Sequence, residues 1–224
     1  MKESSSNASV QQAFEEVYQD ERWGNGIGSG EGADPKLTAP YRNLLQEFIN
    51  KKGIKSVVDL GCGDWQFTQL IDWSGINYTG VDVVPSLINE LNQRFGSENV
   101  CFVHGNLLTC SLPSADLLLC KDVLQHLSNE MIQQFLPRLR CFKYAILTND
   151  RRQYHLASWR NLWNLRPVDI TKPYSDIPAG GYRPVRLREA PFNLEARVIK
   201  TIKMWHSNGM HEKEVLFWEN KELA

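Results

Sequence analysis

The sequence predicts an α/β domain on a mostly parallel sheet, and three observations lead there. Between residues 56 and 148, five short apolar runs alternate with stretches of helical spacing. Each intervening stretch is a crossover of the kind that returns right-handed to a parallel neighbour. Two further β-like runs, 196–205 and 213–220, are joined by SNGMHE and read as an antiparallel hairpin. The chain has 224 residues, 42% hydrophobic and 23% charged, which suits one domain, or one domain with a lid.

The elements follow in order. Residues 1–8 are polar and serine-rich, and disorder is expected there. Residues 9–20 place Val10, Phe14, Val17 and Tyr18 on one helical face, with Ser9 as N-cap and Gln12 three residues on. Glycines at 24, 26, 28, 30 and 32 exclude regular structure from the next stretch. A helix over 37–52 turns Leu44, Leu45, Phe48 and Ile49 inward and stops at Gly53. Strands are expected at 56–60, 76–82, 100–104, 115–120 and 143–148. Helices are expected at 64–73, at 85–95 behind Pro85, and from the Ser128 cap to Cys141 with a bend at Pro137. This divides the chain into 1–53, N-terminal helices with a Gly-rich lid, and 54–224, the ligand-binding domain. Within the latter, 149–195 holds a short helix and then an irregular insertion.

Charge and composition exclude some classes. Lys plus Arg is 25 against 26 acids, so a general nucleic-acid surface is not expected. No apolar run approaches the ~20 residues of a membrane span, and the N-terminus lacks the apolar core of a signal peptide. Five cysteines without a CxxC pair read as free thiols in a reducing compartment, and a cytoplasmic protein is expected.

The strongest motif is Val57-Val58-Asp59-Leu60-Gly61-Cys62-Gly63-Asp64, a buried strand ending in glycines. Glycine there lets the backbone turn sharply and approach a ligand, although a plain tight turn has the same look. The second strand ends in Asp82, followed by Val83, and a carboxylate there can accept from both hydroxyls of a ribose. The third ends in Gly105-Asn106-Leu107, able to meet the rim of an adenine. Three strand ends would then converge on one nucleoside at the carboxyl edge of the sheet.

These residues resemble the class I S-adenosylmethionine-dependent methyltransferases, whose acidic-x-Gly-x-Gly-x-Gly pattern reads here Asp59 to Trp65. Trp65 replaces the third glycine, and Asn106 stands where an adenine-side Asp is usual. The combination of WG…GSG, CGDW and KDVLQHL is similar to bacterial members of unassigned substrate. The resemblance implies a Rossmann-like seven-stranded sheet of order 3-2-1-4-5-7-6, with strand 7 antiparallel and helices on both faces. It implies S-adenosyl-L-methionine as cofactor, held by Asp59, Gly61, Gly63, Asp82, Val83, Asn106, Leu107 and Lys121. The alternatives are a catalytically silent cofactor-binding module and an NAD-dependent oxidoreductase. The latter wants a glycine where Gln66 stands.

For the transfer site, Asp122 and His126 stand four apart after the fourth strand and would share a helical face. One can act as base and the other orient it, or Asp122 can cap a turn while His126 packs under the sheet. Asp122, Asn149 and Asp150 could also supply oxygens to Mg²⁺, as in catechol-type enzymes, but the order of the last two is reversed and no metal is assigned. Residues 151–190 hold seven Arg and one Lys against three acids. Arg151, Arg152 and Arg183, with Trp23, are therefore expected at an acidic or polar acceptor, with Arg186 a further candidate. His155, Trp159 and Trp163 read as packing residues of the short helix. The function expected is methylation of a small or medium acceptor, at oxygen rather than nitrogen.

Overall fold

The computed structural model describes residues 2–23, 28–154 and 175–223, with backbone alone over 2–9. Seven strands form one sheet: β1 (Ser56–Leu60), β2 (Asn77–Asp82), β3 (Val100–His104), β4 (Ala115–Lys121), β5 (Phe142–Tyr154), β6 (Arg197–His206) and β7 (Gly209–Glu219). Their order is β3-β2-β1-β4-β5-β7-β6, parallel throughout except that β7 runs antiparallel to both neighbours. This is the expected topology. Among the described residues four α-helices accompany it: α1 (Lys2–Gln19), α2 (Ala39–Lys52), α3 (Pro85–Phe95) and α4 (Asn129–Phe135).

Alternation along the strands makes two cores. Val57, Leu117 and Leu119 face one side, where Tyr41, Leu45 and Ile49 of α2 and Ile88 and Leu91 of α3 cover them. Val58, Leu118 and Cys120 face the other, against Val10 and Phe14 of α1 and Ile132 and Phe135 of α4. Burial on both faces is why the central strands read as unbroken apolar runs. Gly53, at φ 62°, ends α2, and the Ser128 hydroxyl accepts from the Met131 N–H to start α4.

Four expectations are corrected. The first helix begins at Lys2, so 2–8 are helical and Ser9 lies inside the helix rather than capping it. Serine costs a helix only a few tenths of a kcal/mol per residue, too little to stop a growing helix. Residues 64–73 form no α-helix, only a 3-10 turn at Thr68–Leu70. Trp65 sits at φ 60°, which a right-handed helix cannot include. After α4, Leu136–Cys141 tightens to a 3-10 turn, because Pro137 donates no hydrogen bond. Finally, β5 runs six residues past its expected end to Tyr154 and pairs there with His211 and Met210. The hairpin turn thereby shrinks to Ser207 and Asn208. The short helix expected around His155, Trp159 and Trp163 lies outside the described residues. Among the described residues, no helix is long and apolar enough to cross a membrane.

Candidate active site

The carboxyl ends of β1 to β5 open into a cavity of about 420 Å³. Its floor is the turn after β1. Gly61 and Gly63 take φ 71° and 56°, a region that penalises side chains. A Cβ would strike the Val123 side chain at Gly61 and the Ser29 hydroxyl at Gly63. Asp82, at the end of β2, accepts from the Gly63 N–H and the Val84 N–H, both at 3.1 Å. Burial raises its carboxyl pKa and these N–H groups pull it back. Val83, Asn106 and Leu107 line the cavity beside it. Asn106 Oδ1 accepts from the Leu108 N–H at 2.9 Å.

Asp59 does not line the cavity among the described residues. It lies beneath the floor, where Tyr78 donates to it at 2.7 Å. Burial lifts its carboxyl to about 6, against the Tyr78 hydroxyl and the Lys121 ammonium, which both pull it down.

The roof comes from the N-terminal segment. Val10, Phe14, Tyr18 and Trp23 line the cavity, as do Ser29 to Ala33. Ser29 and Asp64 bond reciprocally: the Ser29 N–H donates to Asp64 Oδ2 at 2.9 Å and the Asp64 N–H to Ser29 Oγ at 2.8 Å. Tyr18 shares a 2.8 Å bond with the same serine hydroxyl.

The end beyond β4 and β5 is polar. Lys213 Nζ donates to Asp122 Oδ1 at 2.7 Å and to Asp150 Oδ1 at 2.8 Å. Asp150 Oδ2 also accepts from His211 Nδ1 at 2.8 Å and from the Tyr182 hydroxyl at 2.9 Å. Lys121 donates to Asp122 and to the Gly32 carbonyl. Burial alone would raise both carboxyls, yet the ammonium groups hold them below the usual range, with His211 helping at Asp150. No cluster of three metal-ligating side chains occurs among the described residues. The Lys213 ammonium occupies the place between Asp122 and Asp150 where oxygen ligation of Mg²⁺ was weighed.

His126 lines the cavity, but Asp122 does not orient it. Asp122 takes φ 58°, which ends β4 and breaks the helical turn that would have aligned the two. The partner of His126 Nδ1 is the Gly181 carbonyl at 2.7 Å. Burial lowers the His126 pKa despite that carbonyl and the Asp122 and Asp150 charges.

The arginine expectations are corrected. Arg183 is fully buried, with Nε donating to the Ser175 carbonyl at 3.1 Å and Nη2 to Asn129 Oδ1 at 2.6 Å. Arg151 faces Glu212 and Glu214 across β7, at 4.0 and 3.9 Å. Arg152 is exposed, and Arg186 meets Glu189 at 3.5 Å. None of these lines the cavity, so the arginine basis for an acidic acceptor falls away. Trp23 does line it, with its ring 4.8 Å from that of His126.

Sequence reasoning missed Tyr182, His211 and Lys213. The signal was there for the last two: in HEKEVLF, His211 and Lys213 alternate with Glu212 and Glu214, the period of a strand with one face inward. Treating SNGMHE as a loop hid it.

Residues 57–142 match the model of a methyltransferase domain. No curated protein matches the chain. Among solved structures, the chain is similar to the 1,6-didemethyltoxoflavin-N1-methyltransferase of Burkholderia thailandensis, at 19% identity and TM-score 0.61. That similarity covers 94% of this chain and 86% of that one. It is similar also to the N-methyltransferase NodS of Bradyrhizobium japonicum WM9, at 14% identity and TM-score 0.59, over 92% and 98%. The methyltransferase domain of the bacterial protein CtHen1 aligns at 16% identity and TM-score 0.56, over 81% and 100%. Residues 57–142 thus carry the match to a methyltransferase domain, and the sheet around them has the topology expected of a class I S-adenosylmethionine-dependent methyltransferase.

Proposed function

We propose that the protein methylates an oxygen of a small polar acceptor, with His126 as general base. One observation carries this reading. The Gly181 carbonyl can only accept, so His126 Nδ1 must hold the proton, and the Nε2 lone pair meets only the Gln125 amide, at a long 3.5 Å that an acceptor hydroxyl would replace. Burial favours the neutral ring, which is the basic form.

The cavity suits the cofactor. The lone pairs of Asp82 not used by Gly63 and Val84 are available to ribose hydroxyls, and Val83 and Leu107 flank the place for a flat base. Asn106 serves the base rim, the Gly61–Gly63 turn allows close backbone approach, and the Lys121 main chain borders the methionine end. Asp59 acts from below, through the turn it supports. S-adenosylmethionine supplies an electrophilic sulfonium methyl. With the cofactor bound, His126 Nε2 would take the proton of the acceptor hydroxyl as the acceptor oxygen attacked the sulfonium methyl, the new O–CH₃ bond replacing S–CH₃. Asp122 holds Lys121 and Lys213 in place and does not itself take the proton. Residues 1–53 act as the cover of the site and 149–195 as its acceptor side.

A nitrogen acceptor is the second reading, favoured by the two N-methyltransferases among the structural neighbours. Calorimetry tests the common part. Asp82→Ala removes two charge-assisted bonds, each about 1.5–3 kcal/mol, so S-adenosylmethionine affinity should fall at least tenfold. Unchanged affinity with the fold intact, or tight binding of NAD instead, overturns the assignment.

A further inference from the structure

Among the described residues, a run of five flat side chains lines the cavity from its roof to its polar end: Trp23, His126, Tyr182, His211 and His206. Successive ring centroids lie 4.8, 5.8, 6.2 and 4.1 Å apart. The first three neighbouring planes are tilted by 38°, 46° and 48°, and the last pair stacks at 20°. The rings come from four separate places in the chain: the N-terminal segment, the turn after β4, the stretch before β6, and the β6–β7 hairpin. Local sequence does not bring them together; the fold does. Side chains filling a core would be enclosed, whereas these five share one open space.

The cationic side chains around them are already matched. Lys121 and Lys213 stand on Asp122 and Asp150. Arg22 stands on Glu16 and Asp20, and Glu31 accepts from the Ser207 N–H and hydroxyl. Among the described lining residues, every Lys, Arg and Glu side chain thus has a partner in the protein. His206 Nε2 is buried without a hydrogen-bond partner. The wall offers faces and a few polar edges and, among the described residues, no unmatched cation for an anionic ligand, whereas the Glu31 carboxylate is met only by neutral donors.

We propose that the acceptor is a planar molecule without a carboxylate or phosphate, an aromatic or heteroaromatic ring bearing a hydroxyl, recognised by this wall of rings. Ring faces attract other ring faces and edges through their quadrupoles, and a puckered saturated ring cannot approach them as closely. The proposal rests on the reading of this cavity as the methyl-acceptor site.

The test uses the whole chain loaded with S-adenosylhomocysteine. Binding of 1-naphthol and 8-hydroxyquinoline is measured by calorimetry against saturated decahydro-1-naphthol. The planar probes should bind at least tenfold more tightly. Trp23→Ala should remove most of that preference, and Trp23→Phe, which keeps a ring, should hold it within about threefold. S-adenosylhomocysteine affinity is measured separately for each variant. If it binds and the planar and saturated probes bind equally, or neither binds, or Trp23→Phe fails as badly as Trp23→Ala, the planar-acceptor proposal is overturned. If S-adenosylhomocysteine itself does not bind the native chain, the methyltransferase reading fails first and takes this one with it.

Discussion

At the scale of single residues, two left-handed backbones outside glycine stand beside the site, Trp65 and Asp122. Such residues cost about 1–3 kcal/mol each and persist only where surroundings hold them. Trp65 is held by rings, with Tyr78, Phe95 and Phe102 centred 5.0–5.6 Å away. It thus takes the backbone conformation that a third glycine would offer while anchoring the turn in the core. Asp122 is held by its bonds to Lys121 and Lys213. Beneath them, Asp59 is pushed up to about 6 from a free value of 3.8. A carboxyl raised on folding favours the folded state fully below its unfolded pKa, and that contribution is lost as pH rises through the folded value. Over roughly pH 4 to 6 this amounts to about 3 kcal/mol. Asp59→Asn should therefore match the native chain in urea unfolding at low pH and exceed it at pH 7.5. A constant difference across pH would show that the carboxyl stays ionised.

His126 gives a kinetic forecast at the same scale. It faces the negative Asp122 and Asp150 and the positive Lys213, yet burial wins and its pKa lies below 6.5. The base form is then present above that lowered value. kcat/KM should be level across pH 7–8 and fall only on the acid side, below the ordinary histidine range. His126→Ala should cost at least about a hundredfold in kcat and abolish that acid limb, with cofactor affinity unchanged. Full turnover on the true acceptor would make His126 a packing residue and favour the nitrogen reading, which needs no base.

At the scale of elements, β7 decides the site. Its polar residues split by the strand period: His211 and Lys213 inward, Glu212 and Glu214 toward Arg151. Lys213→Met would leave Asp122 with Lys121 and Asp150 with His211 and Tyr182, but nothing between the two carboxylates. Breaking a buried ion network in this way typically costs about 3–5 kcal/mol. Both carboxyls now sit below their ordinary range, so their contribution holds above the unfolded pKa, roughly 3.9, and is lost only in stronger acid. The variant should be destabilised most at neutral pH, with the gap in denaturant midpoint narrowing as pH falls. An unchanged midpoint would mean that water replaces the ammonium without loss.

The same element shows what was legible in sequence. The Gly61–Gly63 turn and Asp82 could be read because each is local: a strand, its end, and the residue there. The sheet order followed from a resemblance carried by those positions. The alternation in HEKEVLF marks Lys213 and His211 as inward-facing but not what they face, because β5 extends past Thr148 only when β7 is beside it. Arg183 was misread for the opposite reason. Composition marks an arginine cluster, but not that its guanidinium turns to Ser175 and Asn129.

At the scale of the whole molecule, the N-terminal segment closes the cavity that the sheet opens. Around the cavity it is tied down by Ser29 with Asp64, the Gly32 carbonyl with Lys121, and Glu31 with the β6–β7 turn at Ser207, among other contacts. These join the cover to both the cofactor end and the acceptor end, so one movement would expose both. Ser29→Ala removes the acceptor of the Asp64 N–H and the Tyr18 contact. Only the bond to Asp64 spans the cover and the floor, and one neutral hydrogen bond at about 0.5–1.5 kcal/mol corresponds to roughly a two- to tenfold shift toward the open form. Stopped-flow release of S-adenosylhomocysteine should be faster by about that factor in the variant. In the native chain, the ligand should protect the Ser29 and Asp64 amides from hydrogen exchange. Equal release rates and equal exchange would mean that the cover stays shut while the ligand passes, so that the path to the cavity runs elsewhere.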